Sequence, residues 1–395
     1  MRISTFAVLT LALGLGACTR APSTGGHDRT SPSVAAAGGG AGGVAPQATS
    51  PVSGPLAVRP APASSGPAHA AASADEHTIG LGQVFANLVV YPVTSRSQVD
   101  VGPLITLDDA LAKGVAEVRE VEGGGSVNTL VIDNKGTVPI FVLAGTIVKG
   151  GNQDRQIGQD FIIEGKQKSP VDAFCVEHGR WNGQRNGQAT AGRFGASDVL
   201  ATSKIRAAGQ YKKSQGEVWS KVSEANSANK QRPASDTFLA SVDDATLAKQ
   251  RSELGAKIEA SLASVNPQQE LVGIAFAIDG DVKGVRWFAH HDVFQMVRKK
   301  LVAGIALDAI TAKAEAEAQG RAASTKPAPS PAAVDQFVKN VEAAAVTERR
   351  DTAAGNVNEY SESAAAYGSK TMLKGASSKP GASPKKPVSS DFLSK

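Results

Sequence analysis

Leu271-Val272-Gly273-Ile274-Ala275-Phe276-Ala277-Ile278-Asp279-Gly280-Asp281-Val282-Lys283-Gly284-Val285-Arg286-Trp287-Phe288 is the stretch whose reading decides the fold. Leu271 to Ile278 carries small or apolar side chains on both faces, the mark of a strand covered on both sides. Asp279-Gly280 suits a two-residue hairpin turn, so Val282 to Phe288 should return antiparallel. A long helix is expected from Asp292 to about Glu317. There Phe294, Val297, Leu301 and Ile305 recur at helical spacing and form one apolar stripe. Val334, Phe337, Val338 and Val341 give a later helix a similar face.

Toward the N-terminus the pattern shortens. Leu88 to Val93 reads as a strand, and Thr106 as the N-cap of a short helix with Asp108 and Asp109 in its first turn and Gly114 just past its end. Val115 to Glu122 alternates like a half-buried strand. Thr129 to Ile132 and Val138 to Leu143 read as a hairpin around Asp133-Asn134-Lys135-Gly136. Further strands are expected at Gln159 to Ile163 and Val171 to Glu177, then helices at Lys204 to Lys212, Glu217 to Ser227 and Ala245 to Ser264. The fold class is therefore α+β, with an antiparallel, strand-rich front half of sandwich or barrel type. Helices and a β-hairpin from the back half pack against it.

Several segments together resemble the family of ARG- and rhodanese-phosphatase-superfamily-associated protein domains, where ARG stands for ADP-ribosylglycohydrolase. They are Asn87 to Pro92, Thr106 to Leu111, Gly150-Gly151-Asn152-Gln153-Asp154-Arg155, Cys175-Val176-Glu177-His178-Gly179-Arg180-Trp181, and Gln215 to Trp219. The hairpin and the helix through Lys300-Leu301 fit as well. The resemblance covers about 80–315, with a weaker continuation near 355–374. There the family's last strand reads as cut short by the lysine-rich tail. The family name records gene neighbourhood, so the resemblance implies a fold and assigns no reaction.

The chemistry-bearing residues cluster in the two most specific segments. On a strand, Cys175 and Glu177 share a face, with Phe174 and Val176 on the other. A thiolate held by Arg155 and Arg180 would make Cys175 a nucleophile with Glu177 or His178 as partner. A small buried hydrophobe is the favoured reading of a lone free cysteine. Gly150 and Gly151 permit close backbone approach or positive φ. Gln153 and Arg155 then alternate onto one face, and with Arg180 they suit a carboxylate or phosphate. The competing reading is a β-bulge with Arg155 paired to Glu177 or another carboxylate, or a buried Arg155–Glu177–Arg180 network that fixes the sheet. Trp181 and Trp219 would stack on a ligand ring or close a core edge, the second being favoured. Lys300 reads as a solvated or snorkelling lysine beside a buried stripe. No ligand spacing for a metal is present, and no cofactor is expected.

The ends of the chain point to export. Met1-Arg2, the apolar run Ile3 to Leu15 and Leu15-Gly16-Ala17-Cys18 have the layout of a signal peptide ending in a lipobox. The run is shorter than the roughly 20 apolar residues a bilayer span needs. Residues 1–17 are thus expected to be removed, and Cys18 to carry lipid and anchor the protein. Residues 18–76, mostly Ala, Gly, Pro, Ser and Thr, read as a flexible tether of roughly 40 Å root-mean-square span. The main domain is placed at 77–320, an Ala/Pro linker at 321–333, a returning helix and strands at 334–374, and a disordered Lys/Ser/Pro tail at 375–395. Cys18 and Cys175 are the two cysteines of the 395 residues. Lipidation of one leaves no internal disulfide. By resemblance to sorted lipoproteins, Thr19 in place of Asp favours the outer membrane, facing the periplasm.

The formal net charge of +5 is compatible with contact to anionic lipid or cell-wall polymer, and no nucleic-acid motif is found. Three roles follow: a module binding a small anionic ligand or partner through Gln153, Arg155, Glu177 and Arg180; a hydrolase or transferase using Cys175; or a structural envelope protein. The first ranks highest.

Overall fold

The hairpin at the centre of the sequence reading is also central in space. Leu271–Ile278 and Asp281–Phe288 pair antiparallel. Asp279 and Gly280 both adopt positive φ, 54° and 83°, as a twist-matched two-residue turn requires. In the computed structural model, which describes residues 77–121, 127–185, 187–374 and 387–395, the hairpin lies within a nine-stranded antiparallel sheet. In spatial order the sheet runs Thr78–Ile79, Leu88–Thr94, Leu271–Ile278, Asp281–Phe288, Ser389–Ser394, Ala366–Leu373, Asn356–Glu362 and Val346–Asp351. Gln83–Phe85 pairs beside Leu88–Thr94. The expected leader, Cys18 and tether lie outside the described residues, which all belong to one compact unit, His69–Lys395.

Seven α-helices occur among the described residues: α1 (Leu107–Ala112), α2 (Ser203–Gln210), α3 (Gln215–Ala228), α4 (Leu239–Asp243), α5 (Ala245–Ala263), α6 (His291–Ala318) and α7 (Pro331–Glu342). No described helix is long and apolar enough to cross a membrane. The Phe294, Val297, Leu301, Ile305 stripe of α6 packs with Ile258 and Leu262 of α5 onto Ile274, Phe276 and Ile278 of the large sheet. Burying one such side chain stabilises by about 1.5–3 kcal/mol. The opposite sheet face is covered by Val334, Val338 and Val341 of α7, which explains why Leu271 to Ile278 is apolar on both sides.

The front half closes into a six-stranded barrel. Around it run Lys168–Cys175, Thr129–Asn134, Ala116–Glu120, Arg193–Leu200, Thr146–Gly150 and Arg155–Ile157. Its interior is apolar, filled by Val118, Leu130, Ile132, Val148, Ile157, Val171, Ala173 and Phe194. The outer face carrying Ile147, Phe174 and Val176 packs on α2, α3 and α4. The α+β class and the strand-rich front half are thus as expected. Thr106 caps α1, accepting a hydrogen bond from Asp109 N at 3.1 Å.

Four expectations need correction. The segments Thr129 to Ile132 and Val138 to Leu143 do not form a hairpin. Thr129–Asn134 is a barrel strand, whereas Ile140–Val142 pairs with Phe161–Ile163 and Ile105–Thr106 in a separate small sheet. The Asn134 side chain diverts the chain by donating to the carbonyls of Val138, Ile163 and Glu164 at 2.9–3.1 Å and accepting from Gly136 N. The tail is not disordered to its end, because Ser389–Ser394 fills the middle of the large sheet between Asp281–Phe288 and Ala366–Leu373. Phe392 is buried against α7 and Trp287, an apolar contribution that the Ser-, Pro- and Lys-rich run before it conceals. The strand Ala366–Leu373 is likewise whole rather than cut short. Lys300 is not freely solvated: it is half-buried and paired with Asp108 at 2.6 Å, and burial lowers its pKa.

Candidate functional site

Side-chain alternation places three groups at one end of the barrel interior. Ile157, Ala173 and Val118 point into the barrel core. Arg155, Cys175 and Glu120 lie two residues away from them on the same strands, so they share that inward face. Arg155 and Cys175 are direct cross-strand partners. The mouth they form lies beside the turn that enters Arg155–Ile157.

That turn is built by glycine. Gly150 and Gly151 have φ of 138° and 47°. A Cβ on the first would collide with the Arg193 carbonyl, and one on the second with the Phe194 ring. Gly150 N donates to Asp154 Oδ1 at 2.9 Å and Asn152 N to Glu120 Oε1 at 3.0 Å. Asp154 N donates to Glu177 Oε2 at 3.0 Å. Thr237 Oγ1 donates to Asp154 Oδ2 at 3.1 Å. Burial, reinforced by the Glu177 charge, raises the pKa of Asp154.

Arg180 and Glu177 are tied into this scaffold. Arg180 Nε bridges both Glu177 oxygens at 3.0 Å. Its Nη1 donates to the carbonyls of Gly151, Asn182 and Gln184, and its Nη2 to Gly150 O. Arg185 adds a contact to Asp154 Oδ1 at 3.3 Å. A guanidinium so fully committed fixes the 177–185 loop over the mouth. Glu177 is thus paired with Arg180, while the carboxylate beside Arg155 is that of Glu120.

Arg155 is different. It is fully buried, 0% exposed. Its Nη1 donates to Gln153 O at 3.0 Å and Gln153 Oε1 at 3.3 Å, yet its Nε and Nη2 have no hydrogen-bond partner. The Glu120 carboxylate stands 3.8 Å from Nη2, beyond hydrogen-bond reach. A buried donor left unmade costs about 1–3 kcal/mol, more when charged. The Trp181 indole covers the guanidinium, with Cζ 5.7 Å from the ring centroid. Trp181 is 58% exposed, so it does not close a core edge as the sequence suggested. It presents one face to Arg155 and the rest to solvent.

Cys175 is also 0% exposed. Its backbone N–H and C=O are taken by the Gln215 amide of α3 at 2.8 and 2.9 Å, in place of a further strand. Burial pushes its thiol pKa up, and the Arg155 charge only partly offsets this. The accessible, acidified thiol that nucleophilic chemistry needs is therefore not met. His178 is exposed, its ring 4.4 Å from that of Trp219. No hydrogen bond joins it to Cys175 or Glu177 among the described residues. Nor do those residues contain a metal-holding group of three or more His, Cys, Asp or Glu.

Sequence reasoning missed a second polar centre. Asp160 binds Arg286 Nη2 through both oxygens at 2.6 Å. It also accepts from Ala144 N, Ser389 Oγ and Thr371 Oγ1. Arg206 of α2 binds both oxygens of Asp391 at 2.9 Å. All four are buried. The Arg286 charge holds Asp160 below the usual carboxylate range against the opposing effect of burial. This cluster joins the barrel, α2 and the large sheet. Its available signal was a charge in the middle of an apolar strand, Arg286 between Val285 and Trp287.

Residues 76–378 match the sequence profile of the ARG and Rhodanese-Phosphatase-superfamily-associated Protein domain, so the chain belongs to that family. No curated protein and no solved structure matches the chain.

Proposed function

Taking that membership as the premise, we propose that this protein is a binding module whose barrel mouth takes a small anion, a carboxylate or phosphate group, with Arg155 as the receiving cation. One observation carries the reading: the buried guanidinium of Arg155 has its Nε and Nη2 donors without partners. A two-oxygen anion satisfies such a pair of parallel donors bidentately. Gln153 orients the guanidinium, and the Gly150-Gly151 turn with Arg180 holds the rim. Trp181 covers the entry. Glu120 is the competing internal anion, too distant to satisfy Nη2.

The test is a thermal-shift series with sulfate, phosphate and small carboxylates on the wild-type chain, Arg155→Met and Glu120→Gln. Anions should raise the melting temperature of the wild type and, more strongly, of Glu120→Gln, and raise that of Arg155→Met clearly less. Without ligand, Arg155→Met should melt no lower than wild type, because a poorly paired buried charge is removed. An equal anion response in Arg155→Met sinks the proposal.

The location belongs to the same proposal: a lipoprotein anchored through acylated Cys18, at the outer membrane and facing the periplasm. It rests on Met1 to Cys18 read as leader and lipobox. Metabolic labelling with a palmitate analogue should mark the wild type and not Cys18→Ala; label retained in the variant refutes the anchor. Nucleophilic catalysis by Cys175 is the weaker alternative, given its burial.

A further inference from the structure

A second cavity lies away from the barrel mouth, enclosed by α2, α3, α6 and the end of the large sheet, with a volume of about 300 Å³. That is the lower end of the range for small-molecule sites. Its walls are partly apolar, with Ile278, Ala312 and the Tyr367 ring among them. Five lysines reach it from separate segments: Lys204, Lys212, Lys221, Lys283 and Lys395.

The charges do not cancel within the cavity. Its lining carboxylates are Glu217, Glu315 and Asp308. Glu217 pairs with Lys212 and Glu315 with Lys204. Lys221 pairs with Glu224 and Lys395 with Glu362, neither of which lines the cavity. Lys283 is half-buried and has no ion pair or hydrogen bond among the described residues. Asp308 is committed at the floor, where both oxygens accept from Ser203 N at 2.9 Å.

Behind that floor lies a smaller cavity of about 30 Å³ that shares Ser203 and Asp308 with the first. It is lined by Arg206 and Arg286. Their side chains are 8% and 3% exposed; Arg206 Nε and Arg286 Nε and Nη1 make no hydrogen bond, with Asp391 Oδ2 3.9 Å from Arg286 Nη1. These two arginines are paired with Asp391 and Asp160, so the excess cationic charge of the cavity is that of the lysines at its rim.

We propose that this cavity binds a small organic phosphate, its phosphoryl group among the lysines with Lys283 as the uncommitted cation, and its apolar or ring-bearing body against Ile278, Ala312 and Tyr367. Lysine ammonium groups are compact point charges and can converge on a multiply charged tetrahedral anion. A flat carboxylate carries half the charge and gains less from the same array. This site is separate from the Arg155 mouth and does not depend on it.

The test is calorimetric titration of the full chain with phenyl phosphate and, in parallel, benzoate, on wild type, Lys283→Met, Lys221→Met and Arg155→Met. Melting temperatures verify that each variant is folded. The expected result is phenyl phosphate binding that weakens about tenfold in each lysine variant, or 1.4 kcal/mol, persists in Arg155→Met, and exceeds benzoate binding. Three results overturn the proposal: no binding of phenyl phosphate to wild type, binding that Arg155→Met abolishes while the lysine variants retain it, or benzoate bound as tightly as phenyl phosphate.

Discussion

Arg155 and Cys175 are neighbours across one strand pair, both buried, yet their chemistry diverges. The arginine holds two donors without hydrogen-bond partners, while burial raises the pKa of the thiol. Iodoacetamide should therefore not label Cys175 in the native protein between pH 5 and 9, and label it readily once unfolded. Native labelling with a midpoint below the free-thiol value of about 8.5 would restore the nucleophile. His77, just before the strand Thr78–Ile79, stacks on Trp287, with centroids 4.3 Å apart. Burial, and then the Lys370 charge, lower its pKa to about 4. The unfolded ring titrates near 6.5, so the folded state disfavours the added proton. Its contribution is complete above pH 6.5 and is lost as pH falls toward 4, by at most ~3 kcal/mol. His77→Phe keeps the stacking and should flatten that part of the stability–pH curve relative to wild type; an unchanged curve refutes the assignment.

Among the elements, those with strong local signals were legible. The hairpin at 271–288 and helices α2, α3, α5, α6 and α7 follow from periodicity, caps and turn residues. The Thr129-to-Leu143 segment was misread because a good turn sequence between two apolar runs says nothing of the Asn134 side chain, whose partners Ile163 and Glu164 come from another part of the chain. The strand Ser389–Ser394 was hidden for a different reason. Its pairing partners, Asp281–Phe288 and Ala366–Leu373, supply the apolar context that Ser389, Ser390 and Asp391 lack. Phe392→Asp, which puts a charge against α7 and Trp287, should lower stability by about 3–5 kcal/mol in chemical denaturation. A change under about 1 kcal/mol would mean that this strand is dispensable.

At the scale of the whole molecule, the barrel and the large sheet are joined through charge as well as apolar packing. Asp160, Arg206, Arg286 and Asp391 meet from positions far apart in sequence, 126 residues between Asp160 and Arg286 and 185 between Arg206 and Asp391. No local pattern reveals such a meeting. The mouth was half legible. The paired glycines and the Gln153–Arg155 alternation marked it, but the sequence did not separate Arg180, which fastens the rim, from Arg155, whose donors remain unmatched. Glu120 was absent from the sequence-based site because it lies on a distant strand and reaches the mouth only when the barrel closes. The central claim is that Arg155 receives an anion, and its most direct measurement is proton–nitrogen NMR of the Arg155 Nε–H, assigned by its loss in Arg155→Met, during titration of the full chain with sulfate at low salt. The account predicts a resonance that moves and saturates with the anion. A resonance that stays fixed through the titration, and moves instead when Glu120 is replaced by Gln, would show that the arginine already has its partner and would contradict it.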